Sequence, residues 1–262
     1  MKELFFLCSL PRAGNTVISS ILNQNKHIKV SPNSITANIL YNLISLKGTE
    51  IFQNFPNHRS LDNVIASVLP TYYQDWDADI IIDRGTWGAP FNLNLIKNFI
   101  KNPKFILLVR PIVECAASFA KLQMDNGYSK KEACDFVNNS LQEDKILGKS
   151  IISISNIMKN NENYKIFYYK NFCNNPENFF KELSNYLNTE IKYDFDKIEP
   201  FNVNGIYYND EAIGLKNLHY IYSGKPKEEI YDIDKYLTND IIDKIQKIEH
   251  ESFSKLYFTR VN

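Results

Sequence analysis

Three short runs, ELFFLCS (3–9), ADIIIDRG (78–85) and KFILLVRP (104–111), are continuous apolar stretches rich in β-forming residues and closed by polar or turn residues. A strand with one wet face alternates apolar and polar side chains, so continuous runs of this length belong to strands covered on both faces. YKIFYYK (164–170) is a fourth candidate. Segments with helical spacing lie between and beyond them, at 16–23, 61–73, 92–100 and 113–124. The stretch 130–158 reads as one long helix or two, with Ala133, Phe136, Val137, Leu141 and Leu147 as its apolar stripe. Pro176 suits the first turn of a helix running to about Leu187, and Phe179, Phe180, Leu183 and Leu187 share one face of it. A last helix is expected over 238–256, with Ile241, Ile242, Ile245 and Ile248 buried. Strands alternating with helices require right-handed crossovers. The fold class expected is therefore α/β, three layers with a central parallel sheet, and ligands in such sheets bind at the carboxyl ends of the strands.

The chain of 262 residues, 44% of them apolar, is long enough for one large α/β domain, and no Gly/Ser/Pro-rich linker or internal repeat divides it. A single domain over 1–262 is expected. Thirty basic residues balance thirty acidic ones, so no chain-wide field draws the protein to nucleic acid or to anionic lipid. Asn-rich and Lys-rich stretches such as NNPENFFKELSNYLN are interleaved with aromatics throughout, which argues against disorder. Cys8, Cys115, Cys134 and Cys173 are far apart and form no CxxC pair, the pattern of reduced structural thiols. With a strand expected immediately after Met1 and no apolar leader, a cytoplasmic protein without stable membrane insertion is expected.

The first strand runs straight into SLPRAGNT (9–16) and then a helical pattern. Free backbone N–H groups and the dipole at a helix start favour an anion, and Gly14 lets the backbone approach it. Arg12 adds a permanent cation with a fork suited to oxyanions, and Asn15 and Thr16 add side-chain donors. The triphosphate loop GxxxxGK[ST] carries its lysine after the last glycine; here the cation comes first and no metal-binding carboxylate is evident. A plain strand-to-helix turn is the alternative reading. In LLVRPIVECAASFAK, Arg110 ends a strand and Ser118 lies eight residues on, about two turns along the next helix and on roughly the same face. An arginine with a hydroxyl suits a second phosphate.

Together these stretches resemble the sulfotransferase family. SLPRAGNTVISSIL is similar to that family's 5′-phosphosulfate loop, Pro-Lys/Arg-Ser-Gly-Thr/Ser-Thr, and VRPIVECAAS to its 3′-phosphate signature. YYKNFCNNPENFFKELSNYL is similar to the Tyr-Glu-Asp-Leu stretch with its proline seven residues after the tyrosine, and GLKNLHYIYSGKP to a Gly-Leu-x-x-Leu-His segment of bacterial and phage-type members. The resemblance implies a P-loop nucleoside-kinase-like fold and transfer of a sulfuryl group from PAPS (3′-phosphoadenosine 5′-phosphosulfate) to a hydroxyl or amine, with PAP as product and without metal. It implies that Arg12 neutralises the leaving oxygen while Ala13, Gly14, Asn15 and Thr16 cradle the phosphosulfate. Arg110 and Ser118 would then bind the 3′-phosphate, and Tyr169 would lie against the adenine. In-line transfer through a loose transition state needs positioning and fixed cations more than covalent groups.

The chain departs from the family pattern in places. Ala13 and Asn15 replace Ser and Thr/Ser, Arg110 is followed by Pro-Ile, and Lys170 and Asn171 replace the acidic pair after the tyrosine. The Arg-Lys-Gly segment of eukaryotic cytosolic members has no clear counterpart, and Lys225 is the substitute. For the general base, Asp83 at the end of IIIDRG is the best-placed carboxylate, acting as base or orienting Arg84, which falls where several members have an active-site lysine. His27 and His58 read as surface histidines. Asn33 and Ser34 in VSPNSI fall where members build the acceptor edge; Trp76, Trp87 and the tyrosines of GIYYNDE read as core, with the lining of an acceptor pocket as the alternative, and KPKEEIYDIDK as a solvated segment. The acceptor is open between a small molecule, glycan, protein or lipid, as is the oligomeric state. A metal-dependent nucleotide kinase or NTPase, and a non-catalytic PAP/PAPS-binding protein, are the competing readings.

Overall fold

The structure is a computed structural model that describes residues 2–160, 162–254 and 256. Its centre is a five-stranded parallel sheet in the order β2 (Ile28–Ser31), β3 (Ile80–Arg84), β1 (Glu3–Ser9), β4 (Lys104–Val109), β5 (Asn163–Tyr168). The three apolar runs are its three inner strands. Phe5 to Cys8 and Phe105 to Val109 are buried without interruption, as are Ile80 to Asp83, so helices must cover both faces. On β5 burial alternates, as at a sheet edge.

The chain leaves β1 toward β3 and β2 on one side and later returns to β4 and β5 on the other. The order therefore reverses between β1 and β4, where the carboxyl ends open a crevice. Ser9 and Leu108 are register partners at this point, with Leu7 beside Arg84 across β3.

The helices α1 (Asn15–Leu22), α2 (Thr36–Ser45), α3 (Glu50–Asn54), α4 (His58–Tyr72), α5 (Pro90–Phe99) and α6 (Ile112–Asp125) fill the first half of the chain. They are followed by α7 (Lys130–Ser140), α8 (Ile146–Lys159), α9 (Tyr169–Asn174), α10 (Pro176–Leu187), α11 (Ile233–Tyr236) and α12 (Asn239–Phe253). The 130–158 stretch is thus two helices. Ser129 and Glu132 start the first with a reciprocal capping box, and LQEDK breaks the pattern before the second. The helix expected over 238–256 ends at Phe253; residue 255 lies outside the described residues. A two-stranded ribbon, β6 (Asn202–Val203) and β7 (Ile206–Tyr207), lies beyond the main sheet.

All four cysteines are buried and free, and burial raises the Cys8 thiol to about 11 and the Cys115 thiol to about 12. No helix among the described residues is long and apolar enough to cross a membrane.

Candidate functional site

The loop between β1 and α1 is set by two backbone conformations. Arg12 has φ 63° and Gly14 has φ 83°, both in the left-handed region. Glycine takes that region freely, whereas for arginine it is strained and must be held from outside. The hold comes from Arg110, whose Nη1 donates to the Arg12 carbonyl at 3.0 Å. Gly14 also has no room for a side chain, because a Cβ there would stand 2.9 Å from Cδ2 of Tyr169. Ala13 is fully buried, so only its backbone faces the loop. Asn15 is buried too, its Nδ2 donating to the Leu10 carbonyl at 2.9 Å and closing the turn.

Turn and helix start leave a set of unspent donors. No described group accepts from the backbone N–H of Gly14, Asn15, Thr16 or Val17, while the Ile18 N–H closes the first helical bond to the Gly14 carbonyl. Such a group of N–H donors at a helix N-terminus carries the positive end of the helix dipole.

The side chains converge on the crevice between β1 and β4. Arg12 Nε donates to Ser118 Oγ at 3.0 Å and its Nη1 to the Leu218 carbonyl at 2.7 Å. Ser118 is buried on α6. Arg110, 3% exposed, donates from Nε to Glu114 at 2.8 Å and from Nη2 to the Glu229 carbonyl at 3.2 Å. Its guanidinium lies 4.4 Å from the Tyr169 ring centre and 5.3 Å from that of Tyr231. The structure thus brings Arg12, Gly14, Arg110, Ser118 and Tyr169 into one continuous cluster.

Three expectations change. Asp83, fully buried, accepts from Tyr73 at 2.7 Å, Thr36 at 2.8 Å, Ser34 at 3.1 Å and Trp87 at 3.1 Å. Burial raises its pKa, opposed by those four donors. An enclosed carboxylate with its lone pairs so engaged is an anchor that fixes the 34–36 turn to β3; it is not an exposed base, nor is it bonded to Arg84. Lys225 is not brought to Arg110: its ammonium is 3.5 Å from Glu177 and its side chain 60% exposed. Tyr169 packs between the loop and the Arg110 guanidinium. The segment KPKEEIYDIDK is not simply solvated, since Glu229 and Tyr231 lie on Arg110.

The other wall holds Arg84, whose Nη1 donates to the Pro32 carbonyl at 2.8 Å, to Asn33 at 3.5 Å and to Tyr208 Oη at 3.4 Å. His27 pairs with the exposed Asp79 at the amino end of the strands, away from the crevice, and His58 packs its ring on Phe52. Trp87 is a core residue, as expected, and so is Tyr73; Trp76 and Tyr208 are half-buried against the core, and Tyr207, 61% exposed, departs from the core reading.

Among solved structures the chain resembles a sulfotransferase domain from the curacin biosynthetic pathway (15% identity, TM-score 0.54, covering 96% of this chain and 97% of that one). It also resembles mouse sulfotransferase SULT7A1 complexed with PAP (14% identity, TM-score 0.57, 96% and 83%) and a sulfotransferase from Alicyclobacillus acidocaldarius (12% identity, TM-score 0.53, 96% of each). The chain has the sulfotransferase fold. No family model matches the sequence, and a search of curated proteins finds no match.

Within this fold three further side chains stand beside the cluster: Tyr208, one of the GIYYNDE tyrosines read as core or acceptor-pocket lining, and His219 and Asp210, to which the sequence reading gave no role. Tyr208 Oη accepts from Arg84 Nη1 at 3.4 Å. His219 stacks on Tyr208 at 3.5 Å between ring centres and 5° between planes, and its Nδ1 lies 2.5 Å from Asp210. GIYYNDE and GLKNLHYIYSGKP carry all three residues, but nothing in either stretch says that they fold together. Among the described residues no group of three or more His, Cys, Asp or Glu side chains is placed to hold a metal ion.

Proposed function

We propose that the chain is a PAPS-dependent sulfotransferase. The observation that carries the reading is the cluster itself: unspent N–H donors at the start of α1, with Arg12 joined to Ser118, in the β1/β4 crevice of this fold. That donor set fits an anion held by backbone, one fixed cation and hydroxyls. PAPS, when bound, supplies the activated sulfuryl group. In this reading the N–H groups of residues 14–17, with Thr16 Oγ, hold its phosphosulfate, and Arg12 balances charge on the bridging oxygen. Ser118 and the two N–H groups of Arg110 not already bonded hold the 3′-phosphate, with Tyr169 bordering the adenine. Arg84 lines the acceptor side with Asn33 and Tyr208. Asp83 and Lys225 have no direct part.

Ligand-induced stabilisation tests the reading. PAP without added metal is expected to raise the melting temperature of the wild-type chain, and Arg12→Ala to abolish the rise. Stabilisation by ATP with Mg²⁺ and none by PAP supports the nucleotide kinase instead.

A further inference from the structure

We infer that His219, held by Asp210, is the general base that removes the proton from the acceptor hydroxyl; this rests on the sulfotransferase reading above. Three observations place it. The preceding residue, Leu218, accepts the Arg12 Nη1 hydrogen bond at 2.7 Å, so the histidine's backbone is tied to the cation of the loop. The imidazole is stacked flat on Tyr208, whose hydroxyl accepts from Arg84 Nη1 on the acceptor side at 3.4 Å. The ring is fixed in rotation by Asp210, which takes Nδ1 on Oδ1 at 2.5 Å and the His219 backbone N–H on Oδ2 at 3.0 Å. A carboxylate on Nδ1 puts the proton there and leaves the Nε2 lone pair as the basic site, and no described residue bonds Nε2.

The surroundings suit an acceptor. A cavity of about 560 Å³ is lined by Phe201, Tyr207, Tyr208, His219 and Tyr220, with Asp210 and Lys216 among its polar residues. Aromatic walls with a few polar groups are the usual lining of a small-molecule site. The histidine side chain is 11% exposed, so it is sheltered without being sealed from this cavity.

The step balances. Nε2 takes the hydroxyl proton as the acceptor oxygen forms its bond to sulfur; the bond from sulfur to the bridging oxygen breaks, and its electron pair leaves on the phosphate of PAP. The imidazolium then releases its proton to water. The charged and titratable groups facing His219 are Asp210, which favours the imidazolium, and Arg84 and Arg12, which oppose it together with burial. Tyr208, on the stacked face, stays neutral, its pKa raised by burial. Asp210 is a positioning residue.

The test has two readouts. Histidine NMR of the full chain follows His219 apart from His27, His58 and His250. PAP, an anion bound beside Arg12, is expected to raise the His219 midpoint by about half a unit or more and to leave the other three unmoved. In the second readout, the probe is release of PAP from PAPS with water and with phenol, whose hydroxyl stays protonated at neutral pH, as acceptors. His219→Asn is expected to lower the rate about 100-fold or more with PAP affinity within about three-fold of wild type. Asp210→Asn is expected to shift the acid limb of the rate and the NMR midpoint down together. A wild type that binds PAP without moving His219, or a His219→Asn variant that keeps the rate and the acid limb, overturns the inference and leaves the sulfotransferase reading standing. Failure of PAP to bind at all overturns both.

Discussion

Replacing Gly14 with alanine is expected to damage the loop through two separable effects. The first is conformational: φ is 83°, and moving an L-residue into the left-handed region costs about 1 kcal/mol. The second is steric, because the new Cβ would stand 2.9 Å from Cδ2 and 3.0 Å from Cε2 of Tyr169. Those ring atoms belong to a half-buried side chain whose face lies 4.4 Å from the Arg110 guanidinium, so the ring yields by leaving that contact. Overpacking of this kind costs about 1–3 kcal/mol, and the cation–π contact itself about 0.5–2 kcal/mol. The two effects together amount to about 2–4 kcal/mol, which urea denaturation reads as a lower midpoint at unchanged slope. A double-mutant cycle with Tyr169→Ala separates them. Without the ring only the φ cost remains, so the double variant is expected to be more stable than the sum of the singles implies, by about 1 kcal/mol or more. A Gly14→Ala cost below about 0.5 kcal/mol, or a cycle that is additive, would refute the reasoning that Tyr169 is seated on the loop.

Other perturbations have definite signs. Asp83→Asn keeps the shape but leaves the donors from Ser34, Thr36, Tyr73 and Trp87 imperfectly matched, at an expected cost of about 1–3 kcal/mol in urea denaturation at pH 7. Burial raises the Asp83 pKa in the folded chain, so between its ordinary value and the raised one the folded state holds more protons than the unfolded state. Wild-type stability should therefore decline with rising pH through that window, and Asp83→Asn should remove this part of the slope. Glu114→Gln leaves the nearly buried Arg110 without its charge partner at 2.8 Å. Stability is expected to fall by about 1–3 kcal/mol while PAP binds about two- to five-fold tighter in calorimetry, because a competing carboxylate has gone.

The parts of the fold legible in the sequence are those whose signal is local. The inner strands announce themselves because Phe5 to Cys8, Ile80 to Ile82 and Phe105 to Val109 are apolar on both faces. α10 is found at its observed bounds because Pro176 marks the first turn and four apolar residues repeat on one face. By contrast, β2 is four residues, IKVS, with a lysine in the middle, and carries too little pattern to be told from a loop. In α2 the buried residues are Thr36, Ala37 and Leu40, a weak stripe. The site divides the same way. SLPRAGNT and Arg110 with Ser118 are contiguous or two turns apart, so their meeting can be anticipated. The coupling of Arg110 to the Arg12 carbonyl, 98 residues away, is set by the β1/β4 register and cannot. Asp83 looked like a base because a carboxylate at a strand end is ambiguous until its neighbours are known. Tyr73 and Trp87 reach it from the chain on either side, and those contacts are tertiary.

Transfer of labelled sulfuryl from PAPS, without added metal, to a panel of sugars, phenols and alcohols tests the central claim most directly. The account expects labelled product and PAP from the wild-type chain. It expects a loss of about 100-fold or more in Arg12→Ala, because a fixed cation facing the leaving oxygen is removed. A wild-type chain that neither binds PAP nor releases it from PAPS, or an Arg12→Ala variant that transfers as fast as wild type, would contradict it.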